Sequence, residues 1–304
     1  MPLRITTLLL VITLLSSCKK EEVVFQNNEI PPYSEIPTIR VQNYVNRLFI
    51  DLLGREPLDA EMDVEVAALE TADLSFQARE NLIEKLMFDQ TFLENDSSYN
   101  HAYFQKVYED TKARLIDGAS DALIWQRYDM YYNQAIADSL EGNFTDYERN
   151  IREAERLEDI INSRSEYRLG EIGIREMYRR MIDNAVYDEI NMNSFNYINA
   201  TFNDLFLRFP TDAEFEQAYQ IIEFNEPAVI FGLVAQNEVE YLDILLNSNE
   251  YSEGMVRWAF QTLLAREPVT YESFTLGNDF SAEYNLQELQ KELLKSDEYA
   301  GFDE

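Results

Sequence analysis

The chain has 304 residues, and its 57 Asp and Glu outnumber 25 Lys and Arg to give a formal charge of −32. That excess argues against nucleic acid and anionic headgroups as partners, because both require clustered cations. A hydrophobic content of 46% argues against a disordered chain, and nine glycines with eight prolines point to long helices rather than many strands.

The chain opens with Arg4, an apolar run from Ile5 to Leu15, and then Ser16-Ser17-Cys18. A positive charge, a short apolar run and small residues before a cleavage point form a secretory signal. Eleven residues are too few to span a hydrocarbon core, which needs roughly 20. Leu15-Ser16-Ser17-Cys18 resembles the lipobox of bacterial lipoproteins, which implies that the Cys18 thiol is lipidated and becomes the new N-terminus. Lys19-Lys20-Glu21-Glu22 resembles the charged export signals of Bacteroidota lipoproteins at the outer face of the outer membrane. Residues 1–17 are therefore expected to be a signal peptide. Residues 18–38, with Pro31-Pro32 and Pro37, are expected to be the lipidated cysteine and a tether. With Cys18 lipidated no disulfide remains, so stability must come from packing.

A 14-residue pattern then occurs three times without gaps: Tyr44–Pro57, Tyr197–Pro210 and Met255–Pro268. In the first copy Tyr44, Val45, Leu48, Phe49, Leu52 and Leu53 fall on one helical face. Pro57, Pro210 and Pro268 end the helix. Arg55, Arg208 and Arg266 are expected in its last turn, against the negative dipole end. Thr211-x-x-Glu214 reads as a capping box for the next helix, and Asp59 with Glu61 as a similar start. A second shared pattern closes each copy: Leu245–Tyr251 matches Leu293–Tyr299, and Leu86–Phe92 is a looser version. Repetition at this scale means helical units that bury a shared core.

These segments predict an all-α protein, a helical repeat or bundle with a long helical insertion. Unit 1 covers 39–95, the insertion 96–190, and units 2 and 3 cover 191–304. Within the insertion, Gly118, Gly142 and Gly170 separate helices expected near 97–117, 119–141, 144–165 and 168–189.

The stretch LFIDLLGREP with its following Asp59-Ala60-Glu61 resembles a repeat of bacterial secreted and surface proteins, similar to the phycobilisome-linker type of helical domain. It also resembles the start of an uncharacterised domain of planctomycete cytochrome-like proteins. The resemblance covers about half of the mature chain and implies an all-α scaffold used for joining or docking.

Chemistry has few places to reside. One histidine, His101, and one cysteine leave no haem signature and no metal-ligand set, so no cofactor and no metal are expected. No Walker loop, G-x-S-x-G or H-E-x-x-H occurs. Trp125, Tyr128, Tyr131 and Tyr132 fall at helical spacing and form a candidate binding platform, either core packing or a surface for a sugar or a partner. The expectation is a non-enzymatic outer-membrane lipoprotein, held to the membrane through its N-terminal lipid, that docks onto another envelope protein at the cell surface. The alternatives are a periplasmic-face location and a glycan- or nutrient-binding lipoprotein working beside an outer-membrane transporter.

Overall fold

Apolar residues spaced three and four apart dominate this chain, and in the computed structural model of residues 33–91 and 98–303 they form helices. Cys18, Lys19, Lys20, Glu21 and Glu22 lie outside the described residues. In chain order the helices are α1 (Thr38–Leu53), α2 (Asp59–Thr71), α3 (Phe76–Phe88), α4 (Tyr99–Leu115), α5 (Asp121–Glu141), α6 (Phe144–Leu169), α7 (Ile174–Ile182) and α8 (Ala185–Asn191). They continue as α9 (Ser194–Phe206), α10 (Asp212–Phe224), α11 (Glu238–Leu246), α12 (Asn249–Leu263), α13 (Thr270–Glu283), α14 (Leu286–Leu294) and α15 (Asp297–Ala300). One antiparallel hairpin, β1 (Ala228–Ile230) with β2 (Leu233–Ala235), stands between α10 and α11. The fold is all-α, as the periodicity requires. No described helix is long and apolar enough to cross a membrane.

The three sequence copies are α1, α9 and α12. Each buries the expected face: Tyr44, Leu48, Phe49 and Leu52 on α1, Ile198, Phe202 and Leu205 on α9, and Val256, Ala259 and Phe260 on α12. Each large side chain so buried contributes about 1.5–3 kcal/mol. The opposite face is less free than the pattern suggests, because Asp51 accepts a hydrogen bond from the Tyr299 hydroxyl at 2.7 Å.

All three helices end one residue before a left-handed position, or two in the case of α12: Gly54 at φ 73°, Leu207 at 57° and Ala265 at 54°. Only glycine takes this conformation without a Cβ penalty of roughly 1–2 kcal/mol. The following arginine therefore lies beyond the helix, not in its last turn as expected. Its guanidinium reaches forward to the next helix instead. Arg55, Arg208 and Arg266 each fork onto a glutamate six residues on, Glu61, Glu214 and Glu272, with both N–O distances at 2.7–2.8 Å. One oxygen of that glutamate also accepts the backbone N–H of Leu58, Thr211 or Val269. The same arginine covers the ring of Phe49, Phe202 or Phe260. The proline thus turns the chain, and a bidentate ion pair locks the turn. Thr211 and Glu214 form the expected reciprocal cap. After the first copy the N-cap is Leu58 rather than Asp59, so only the glutamate half of the cap exists there.

The closing pattern is the N-cap of the following helix. Ser248 and Ser296 accept the N–H of Tyr251 and Tyr299 at 3.1 Å. Their glutamates, Glu250 and Glu298, add a second carboxylate to Arg208 and Arg266. In unit 1 the looser match at Asp89 starts no helix. Ser98 caps α4 through the His101 N–H, and Tyr99 donates to Glu61.

The segment expected as one helix over 168–189 is interrupted. Asn184 accepts the N–H of Val186 and Tyr187, ending α7 and starting α8. This repeats the cap-then-tyrosine pattern of Tyr251 and Tyr299. Helices α4 and α7 are built into the core through Tyr103, Tyr108, Met177 and Tyr178. The stretch that stands apart is α5 with α6, which pack chiefly on each other.

The two ends of the described chain meet. Tyr33, within the span expected to be tether, donates to Asp297 at 2.9 Å. Tyr44 donates to the Leu294 carbonyl, and Arg47 to the carbonyls of Tyr299 and Leu263. Arg79 is fully buried and pairs with Asp297 at 2.8 Å among the rings of Tyr33, Phe76 and Phe302. At the crossing of α9 and α12 the backbones approach so closely that a Cβ on Gly254 would lie 2.1 Å from the Leu205 carbonyl oxygen.

Candidate docking surface

Helices α5 and α6 form an antiparallel arm. Ser120 caps α5 by accepting the Leu123 N–H, and Gly142 ends it at φ 80°. The seam between the helices is made by Ile124, Ala135 and Asp138 on α5 and by Asn150, Ala154 and Leu157 on α6. The alanines allow close approach, and the buried Asn150–Asp138 hydrogen bond, 2.7 Å long, fixes the register. The arm is held at its base. Arg127 of α5 pairs with Glu189 of α8, Lys112 of α4 pairs with Asp121, and Tyr167 of α6 packs edge-on against Phe104 of α4.

The two outer faces of the arm differ in chemistry. Exposed residues of α6 include Glu148, Arg149, Arg152, Glu155 and Arg168. Charge pairs such as Arg149–Asp146 keep that face solvated. The exposed residues of α5 include Leu123, Trp125, Met130, Tyr132, Ile136 and Leu140, while the charged ones are only Asp129 and Glu141. In a chain of charge −32 this face carries little charge. Depletion of charge with enrichment in aromatic residues and Met is the composition of an interface core.

Three of the four aromatic residues of the candidate platform pack against one another. Trp125 meets Tyr128 edge-on at 5.1 Å, and Tyr128 stacks on Tyr132 at 5.6 Å with an interplanar angle of 9°. Trp125 and Tyr132 are exposed, and Tyr128 is half-buried beneath them. Tyr131 turns away toward the arm base, where Glu153, Glu189 and Asp188 raise its pKa after burial. Four residues absent from the sequence-level platform, Leu123, Met130, Ile136 and Leu140, complete the apolar surface. The signal that could have found them is the near-absence of charge among the solvent-facing positions of a 21-residue helix.

Two clefts lie elsewhere. A cleft of about 580 Å³ is floored by Phe104 and Tyr167. Of its two cations Lys291 is held by Glu288 and Glu84 and Arg168 lies against His101, and the Tyr167 hydroxyl donates to Gln287. A second cleft, of about 480 Å³, gathers Asp51, Lys106, Asp110, Arg114 and Trp258. Burial pushes the Asp110 carboxyl up and the Lys106 ammonium opposes this, while Asp51 is engaged by Tyr299. The acids with the largest upward shifts line neither cleft. Burial brings Asp204 to about 6 against the hydrogen bond from Tyr187. Much of Asp188 is exposed, yet its carboxyl is desolvated and faces Glu238, Glu153 and Asp183, which bring it to about 7. Of these raised acids only Asp110 lines a cleft, the second, where the Lys106 ammonium holds it; Asp204 and Asp188 lie outside both. His101 sits beside Arg168 at 3.2 Å, and burial followed by that charge lowers its pKa. Among the described residues no three His, Cys, Asp or Glu side chains are placed to hold a metal ion.

No protein-family model matches this chain, and neither a curated protein nor a solved structure matches it.

Proposed function

We propose that the chain is a docking or scaffold subunit of an envelope complex, without catalytic activity of its own. It is anchored to the outer membrane by lipid on Cys18 and exposed at the cell surface. The anchor reading is supported by Leu15-Ser16-Ser17-Cys18 and the charged Lys19-Lys20-Glu21-Glu22 that follows. The docking reading is carried by one observation: the arm's α5 face is apolar and nearly uncharged on a protein that is otherwise strongly acidic. Its partner is an envelope protein with an apolar groove, because an uncharged helix face gains affinity from buried area rather than from ion pairs. A sugar-binding reading has less support, since Trp125 and Tyr132 lie along a convex helix and line neither of the two large clefts.

The test is photo-cross-linking in intact membranes. A cross-linker at Ile136 should give one discrete adduct with an envelope protein, and one at Arg152 on α6 should give none. Tyr132→Glu should abolish the adduct while the thermal unfolding temperature is kept. Equal adducts from both faces, or none from either, would remove the docking reading. Cys18→Ser should move the protein from the detergent phase to the aqueous phase. Its retention in the detergent phase would remove the anchor reading alone.

A further inference from the structure

The second and third helices of each unit flank a groove, and the three copies treat it differently. The grooves between α2 and α3 and between α13 and α14 are equivalent by the register of the repeat: Glu61 aligns with Glu272, and Leu86 with Leu293. Every lining position of the unit 1 groove has its counterpart in the unit 3 groove on this register, and Thr275 is added in unit 3. In unit 1 the groove is small, about 220 Å³, and Lys85 of α3 crosses it to pair with Glu65 of α2.

In unit 2 the groove is filled by the chain's own β-hairpin. Phe231 and Gly232 both have positive φ, 50° and 79°, so the hairpin turns in two residues with a twist that suits its strands. The hairpin is bonded to both walls: the Val229 N–H donates to Gln217 of α10, and the Gln236 N–H to Glu240 of α11. Ala228, Ile230 and Ala235 are buried. Ile221 of α10 is fully buried too, whereas its counterparts Ala68 and Asp279 are exposed.

In unit 3 the connection between α13 and α14 is only Tyr284-Asn285, so no hairpin is present to fill the groove. The space is larger, about 400 Å³, with an apolar floor of Leu276, Phe280 and Leu289. The position of Lys85 is taken by Glu292, and that of Glu65 by Leu276. The rim carries Asp279, Glu283, Glu288 and Glu292. Glu288 and Glu292 pair only along their own helix or near it, with Lys291 and Lys295, while Asp279 and Glu283 make no ion pair among the described residues.

We propose that the α13–α14 groove receives an extended, apolar segment of a partner protein flanked by Lys or Arg. Unit 2 shows the form of the occupant, a hairpin-like strand whose small and branched side chains enter the groove. Unit 1 shows the charge, a lysine ammonium against a carboxylate at the wall. Four rim carboxylates with no cation from the facing helix wall require the occupant to supply it. This surface lies on a different unit from the arm and does not rest on the arm's reading.

The probe is a synthetic peptide that copies residues 228–235 with two added lysines at each end, labelled for fluorescence anisotropy. It is titrated onto the full chain in detergent. Saturable binding is expected, at least tenfold weaker when the added lysines are replaced by glutamates. The double change Asp279→Asn with Glu283→Gln should weaken it at least tenfold, as should Leu276→Glu. Glu148→Gln with Glu155→Gln on the arm should leave it unchanged, and so should Tyr132→Glu. Circular dichroism establishes that each variant is folded. Absent binding, equal binding of the glutamate-ended peptide, or equal weakening by the arm variants would overturn the proposal.

Discussion

Replacing Gly254 by alanine sets two effects of opposite sign against each other. Gly254 lies inside α12, where alanine is favoured over glycine by about 1 kcal/mol from helix propensity alone. The added Cβ would lie 2.1 Å from the Leu205 carbonyl oxygen and 3.1 Å from both Leu205 C and Phe206 Cα. Ordinary C···O contacts begin at about 3.3 Å, so α9 and α12 would have to part by roughly 1 Å. The obstructing atoms are backbone, which cannot rotate aside. Parting the helices also loosens Leu205, Phe206, Met255 and Val256, all buried. A radial gap of 0.5–1 Å forfeits roughly a quarter to a half of each contact's dispersion energy. Overpacking of a fixed core costs about 1–3 kcal/mol, and this contact lies at the upper end. The net expectation is a loss of about 2 kcal/mol, measured by urea unfolding followed by circular dichroism. Gly277→Ala is the control. It also lies in a helix, but its Cβ would meet only the Glu253 Cγ at 3.9 Å, so that variant should gain up to about 1 kcal/mol. If Gly254→Ala matched or exceeded the parent with an unchanged denaturant slope, the close crossing of α9 and α12 would be refuted.

Glu214→Ala removes the fork to Arg208 and the cap on Thr211 together, and should cost about 1.5–3 kcal/mol in the same unfolding measurement. Arg208→Lys should lose much of the same energy, because an ammonium cannot reproduce the fork, and a loss below about 0.5 kcal/mol in both would count against the clasp. Stability should also depend on pH from two sides. Glu214 is held down to about 2 by Arg208, and Glu61 reaches about 2 because its Arg55, Leu58 and Tyr99 hydrogen bonds outweigh burial. Their contribution is present above the ordinary value of 4.5 and lost as pH falls toward 2. Asp204 and Asp188, raised to about 6 and 7, act oppositely: the folded form holds their protons more tightly, so stability falls as pH rises from about 4 to 7. The thermal midpoint should therefore be highest at about pH 4 and fall toward neutrality, and Asp204→Asn should flatten that fall; a midpoint that climbs from pH 5 to 7.5 would contradict this.

The helical class and the three copies were legible because each copy places its apolar residues on one face and ends in proline. The partner of each arginine was not. Arg55 and Glu61 are six residues apart, a spacing that joins nothing within one helix and becomes a contact only after the chain turns at Gly54. The break at Asn184 was hidden because α7 and α8 are both apolar on their inner faces, so a single period runs through them. The hairpin was visible as an apolar run around Gly232, but three-residue strands carry too little alternation to be told from a helix segment. At the candidate site the aromatic spacing was readable on α5. The direction of Tyr131 was not, since it depends on where α8 lies. The grooves of the three units were equally hidden, because which of them is filled depends on the length of the connection between two helices.

The meeting of the two chain ends sets an order on folding. Tyr44 and the Leu294 carbonyl are 250 residues apart, and Tyr33 and Asp297 are 264 apart. Contacts at that separation close slowly, because the entropy of the intervening loop is lost before they form. The local helices of the first unit therefore form before Tyr44 finds its acceptor at Leu294. Through that interval the first unit has no cover over the faces of Tyr44 and Arg47, and Arg79, fully buried in the finished fold, lacks its carboxylate. The final helix, α15, is therefore a latch: four residues whose arrival turns a row of helices into a closed body.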